Sequence, residues 1–107
     1  MKIHVLVVED EPPIQRSICQ KIEESNENYI VVAAIDNGKD AMQYLKEHPV
    51  DVMFVDMNLP IVSGKELLKF CYSEKLPVLP VVLSGYTDFE YVKCAVANHA
   101  VDYLLNP

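Results

Sequence analysis

Apolar and polar positions alternate along this chain in blocks. Ile3 to Val8 (IHVLVV) is a short run of mostly β-branched residues with no polar face, which predicts a strand buried on both sides. It stops at Glu9-Asp10-Glu11. Pro12 and Pro13 fit the first turn of a helix. Ile14, Ile18 and Ile22 then recur every four residues with Arg16, Gln20 and Glu23 on other faces, an amphipathic helix to about Glu24 that the polar Ser25-Asn26-Glu27-Asn28 turn ends. Tyr29 to Ile35 (YIVVAAI) predicts a second strand, and Asp36-Asn37-Gly38 is turn chemistry. Lys39 to Glu47 carries Ala41, Met42 and Leu45 at helical spacing, with Pro49 closing it. Val52 to Val55 reads as a third strand ending at Asp56, and a loop with Pro60 and Gly64 leads to a helix holding Leu67, Leu68 and Cys71. Val78 to Leu83 is the fourth strand, with Pro80 expected to confine its regular part to the second half. Thr87 or Asp88 caps a helix through Phe89, Val92, Val96 and Ala97, and Val101 to Leu105 is the fifth strand.

Strict alternation of strand and helix implies an α/β domain: a parallel sheet with right-handed crossovers and helices on both faces. The 107 residues suit one domain, and half of them are hydrophobic, which is globular composition. A chain of this size buries roughly 65% of its unfolded surface, enough for a core without disulfide or metal staples. Nine Lys+Arg against 16 Asp+Glu give a net charge of −7, which argues against this segment gripping nucleic acid or anionic lipid. No apolar run approaches the ~20 residues of a membrane span, and no leader of the basic-then-apolar kind is expected. Gly38, Gly64 and Gly85 are too scattered for a dinucleotide or P-loop fingerprint. Cys19, Cys71 and Cys94 form no CxxC pair and read as reduced thiols, so a cytoplasmic location is expected. His4, His48 and His99 lack helical metal spacing.

An open parallel sheet binds ligands at the carboxyl ends of its strands. There the sequence sets Glu9 and Asp10 after the first strand, Asp56 after the third, Ser84 after the fourth and Asn106 after the fifth. Singly, each has a plain structural explanation: a solvated helix-capping turn, an Asx turn at Asp56, ordinary turn usage at Ser84-Gly85. Together they point to chemistry. Converging carboxylates raise one another's pKa unless a cation joins them. Oxygen donors with no His or Cys beside them favour a hard ion, Mg²⁺ above all, since it leaves room for phosphate oxygens. An aspartate beside such an ion can act as nucleophile and form an aspartyl-phosphate. Asp56 is the natural nucleophile, Asp10 the natural ligand, Glu9 a ligand directly or through water, and Ser84 a hydrogen-bond donor to the phosphoryl group.

The motifs VLVVEDEPP, VDMNLPIVSG, VVLSGY and VDYLLNP, which cover essentially the whole chain in order and spacing, resemble the receiver domain of bacterial two-component response regulators. The resemblance implies a flavodoxin-like, doubly wound five-stranded sheet of order 2-1-3-4-5. It places the family's acidic pair on Glu9 and Asp10, the phospho-accepting aspartate on Asp56 and the metal-binding backbone carbonyl on Asn58. The loop proline and glycine fall on Pro60 and Gly64, the switch hydroxyl on Ser84 and the switch aromatic on Tyr103, for which a plain packed strand tyrosine is the alternative. It also implies Mg²⁺ as cofactor, a sensor histidine kinase as partner, and no enzymatic activity beyond the domain's own phosphotransfer and autodephosphorylation. SGYTDFEYVKCAV is similar to receivers whose output is an AraC-type helix-turn-helix domain, so DNA would be met through a C-terminal domain outside this chain.

Two positions depart from the family pattern. Asn106 stands where the family has lysine. A unit charge about 4 Å away is worth roughly 4 kcal/mol at an effective dielectric near 20, before desolvation. Asn106 supplies a donor without that charge, so weaker phosphoryl retention, weaker coupling or no phosphorylation is expected, and a degenerate receiver acting as a phosphorylation-independent interaction module is the alternative function. The second departure is length, because the family's fifth helix has no counterpart before Pro107. C-terminal truncation is the expectation, and with it homodimer formation through the uncovered apolar face. A haloacid-dehalogenase-like phosphatase fits poorly: its second acid falls on Asn58, and 107 residues leave no room for a cap domain.

Overall fold

The apolar blocks become parallel strands because neither of their faces meets water. In the computed structural model, which describes residues 2–83, the elements are β1 (Ile3–Val8), α1 (Pro12–Ser25), β2 (Tyr29–Ile35), α2 (Gly38–Glu47), β3 (Val52–Asp56), α3 (Gly64–Ser73) and β4 (Leu79–Leu83). They form a sheet of order β2-β1-β3-β4, all parallel. The fold is flavodoxin-like α/β; the alternation implies its parallel sheet, and the resemblance its flavodoxin-like order. The expected helix after Asp88, the fifth strand, and Ser84, Tyr103, Asn106 and Cys94 lie outside the described residues.

The two-residue period of a strand sorts the core into two layers. Val5, Val7, Val52, Phe54 and Val81 face α1, where they meet Ile22 and the half-buried Ile18 and Cys19. Leu6, Val8, Met53 and Val55 face α2 and α3, packing on Ala41, Leu45, Leu67 and Cys71. Val5–Val8 and Val52–Val55 are therefore buried throughout.

Two expectations need correcting. Ile14, first of the isoleucine stripe on α1, is 44% exposed rather than core. α1 starts beyond the carboxyl end of β1 and runs back along the sheet, so its first turn overhangs the rim, where no apolar layer waits. Pro80 does not restrict β4 to its second half, since it pairs with Met53 inside the regular ladder. The Leu79 N–H donates to the Asp51 carbonyl at 2.9 Å. Alternate residues turn their peptides to opposite sides, so the missing N–H of Pro80 falls on the side away from β3 and breaks no bond with it.

Candidate functional site

Register brings the acids together. Val8 of β1 pairs with both Ile35 of β2 and Val55 of β3, so the residues just past Val8 stand beside Asp56, the last residue of β3. One carboxylate oxygen from each of Glu9, Asp10 and Asp56 lies within 4.8 Å of the others. Their surroundings differ. Glu9 is 5% exposed, Asp56 is half-buried and Asp10 is open to solvent.

Glu9 is built into the backbone. Its N–H donates to the Ile35 carbonyl at 2.9 Å, and its carbonyl accepts from Gln15 Nε2 at 3.0 Å. Its Oε2 accepts from the Glu11 N–H at 3.2 Å. The EDE turn thus holds its first acid in place with the N–H of its third, and α1 starts without a side-chain cap. Burial pushes the Glu9 carboxyl up to about 7; a hydrogen bond with Asp10 and the Asp56 charge add to the rise, while the Glu11 N–H opposes it. Three oxygen donors that suffer from proximity, one of them desolvated, fit a hard divalent ion such as Mg²⁺.

The loop after Asp56 is set with equal care. Asp56 Oδ1 accepts from the Asn58 N–H at 3.1 Å, so an Asx turn and a site carboxylate are the same residue. The Gly64 N–H returns to the Met57 carbonyl at 3.1 Å. A Cβ on Gly64 would run into the Asp56 carbonyl and Met57 Cα, which explains why α3 opens on glycine. Ser63 and Glu66 complete a capping box at that helix start, an S-x-x-E signal that the sequence carries openly. A cleft of about 310 Å³ opens beside Asp10, between Pro12, Gln15, Ala34, Ile35, Asp36 and Asp40; Asp56 is not in its walls.

Of the sequence-derived candidates, the structure gathers Glu9, Asp10 and Asp56, with Asn58 tied to Asp56 by its backbone N–H. Ser84, Tyr103 and Asn106 lie outside the described residues. Cys19 and Cys71 are free thiols whose pKa burial raises, so neither is primed as a nucleophile. Among the described residues no helix is long and apolar enough to cross a membrane.

Comparison with known proteins gives a consistent result. The model of the response regulator receiver domain family matches residues 5–107. The chain is 28% identical over 103 residues to the transcriptional regulatory protein HptR of Staphylococcus aureus, covering 96% of this chain and 40% of that protein. The receiver (REC) domain of AraT, a response regulator from Geobacillus stearothermophilus, is 37% identical with a TM-score of 0.71, over 91% of this chain and 75% of the other. The response regulator domain of Thermotoga maritima CheB is 28% identical with a TM-score of 0.73, over 94% and 75%. The chain thus spans about two-fifths of the length of curated relatives such as HptR.

Proposed function

The chain belongs to the response regulator receiver domain family, and we propose that within it this domain is a phospho-accepting switch whose acceptor is Asp56. The carrying observation is the convergence of Glu9, Asp10 and Asp56 oxygens at the joined ends of β1 and β3. A bound Mg²⁺, held by Glu9, Asp10, Asp56 and the backbone carbonyl of Asn58, would supply charge neutralisation for carboxylates and phosphoryl oxygens alike. The donor is a phosphohistidine of a sensor histidine kinase. An Asp56 carboxylate oxygen forms the O–P bond as the P–N bond breaks, and its electron pair returns to the imidazole. The phosphoryl group adds charge of about −2 to the rim. The Ser84 hydroxyl is drawn to it as a hydrogen-bond donor, and Tyr103 follows.

The domain is not an enzyme in its own right; it supports only its own phosphotransfer and autodephosphorylation, in the cytoplasm. HptR is named a transcriptional regulatory protein. By that likeness the whole protein regulates transcription through a further DNA-binding domain, and SGYTDFEYVKCAV favours the AraC-type helix-turn-helix.

Asn106 in place of lysine favours a second reading, a receiver that binds its partner without being phosphorylated. Beryllofluoride with Mg²⁺ discriminates between the two. The switch reading expects saturable changes in the amide resonances of Asn58 and Ser84; resonances that stay put favour the interaction module.

A further inference from the structure

Gly38, the first residue of α2, stands directly against Val62 in the loop that follows Asp56: a Cβ built on it would overlap the Val62 carbonyl and crowd Val62 Cβ. Neither side of this contact yields easily. On the α2 side, the Asn37 side chain accepts from the Asp40 N–H at 2.8 Å and donates to Asp36 Oδ1 at 2.9 Å and Asp40 Oδ2 at 3.0 Å, while Ala41 and Leu45 anchor the helix in the core. On the loop side, Leu59 is buried and the Gly64 N–H closes the base on Met57.

Between those anchors the loop carries an outlier. Ile61 has φ 69° and is 78% exposed, and the Val62 N–H donates across it to the Pro60 carbonyl at 2.8 Å. This is a three-residue turn of the strained positive-φ kind. A β-branched residue keeps that conformation only where its surroundings impose it. Its own side chain, largely in solvent, does not. The seat of Val62 on α2 does.

We propose that Gly38 is a positioning residue for the acid site: its bare Cα lets Val62 dock on the first turn of α2, and the docked loop holds Asn58 beside Asp56. The inference rests on the reading of Asp56 and Asn58 as metal ligands. The effect of Gly38 is carried through the loop, since the residue itself is not among the acids.

Gly38→Ala, in the metal-free protein and in a Mg²⁺ titration, is the test. Backbone order parameters of the Asn58 and Val62 amides, about 0.85 when rigid, should fall toward 0.6 or below in the variant, while those of Leu6 and Phe54 do not move. Mg²⁺ affinity should weaken about tenfold, a difference of about 1.4 kcal/mol. Unchanged loop amides and unchanged affinity in a folded variant overturn the proposal. Should Gly38→Ala fail to fold, Ile61→Gly decides, since it substitutes an exposed residue. If docking on Gly38 holds the loop, Asn58 stays rigid once the turn no longer needs forcing. A mobile Asn58 in Ile61→Gly contradicts it. A wild-type chain that binds no Mg²⁺ would defeat the metal-site reading, and the loop amides would still decide the role of Gly38.

Discussion

Glu9, 5% exposed between two other acids, carries a carboxyl group into surroundings that favour its proton. Its pKa is raised from 4.5 to about 7, chiefly by burial. In the metal-free chain the folded state therefore holds a proton across that window which the unfolded state releases. The proton's contribution to stability is complete below 4.5 and is lost as pH rises through about 7, a difference on the order of 3 kcal/mol. Chemical denaturation of the metal-free domain across that range should show the decline, and Glu9→Gln should remove it. A cation reverses the preference, because it binds the carboxylate and expels the proton. Mg²⁺ affinity should accordingly climb with pH up to about 7 and then level off; a flat profile from titration calorimetry would count against Glu9 as a ligand. Sequence alone could not pick Glu9 from the EDE triplet as the buried member. Asp10 and Glu11 are exposed, and only the register of β1 beside β2 and β3 seals the first of the three.

The helices differ in how they begin. α1 has prolines in its first turn and no side-chain cap, α2 has Asn37, and α3 has the Ser63–Glu66 box. Replacing Asn37 with alanine should cost about 1 kcal/mol, seen as a lowered midpoint in thermal or urea unfolding. The cost arises because Asn37 satisfies the Asp40 N–H and separates two carboxylates that its amide now bridges. Most of these elements were legible. The β-branched runs marked β1 to β3, proline and polar clusters marked their ends, and the third strand was placed to within its last residue, Asp56. What failed were judgements needing a neighbour. Pro80 looks disruptive until its bare nitrogen is known to face away from β3, and Ile14 looks like core until α1 is seen to overhang the rim. No local pattern announces that Gly38 meets Val62, because that contact exists only once α2 and the β3–α3 loop have been packed together.

For the molecule as a whole, the decisive feature is strand order. β1 lies between β2 and β3, so acids at the ends of two strands that are not consecutive in the chain become neighbours. Strand and helix alternation implied a parallel sheet, and the rule that ligands sit at carboxyl strand ends picked out Glu9, Asp10 and Asp56. The order itself came from the resemblance, since periodicity contains no information about which strands are adjacent. The roles of Ser84, Tyr103 and Asn106 continue to rest on motif position. Labelling with radioactive acetyl phosphate asks whether Asp56 accepts a phosphoryl group in a Mg²⁺-dependent reaction. Wild type should take up label with Mg²⁺ and take up none when the ion is chelated before acetyl phosphate is added, and Asp56→Asn should remain unlabelled. Equal labelling of wild type and Asp56→Asn, or none in either with Mg²⁺ present, would rule out Asp56 as a Mg²⁺-dependent phosphoryl acceptor.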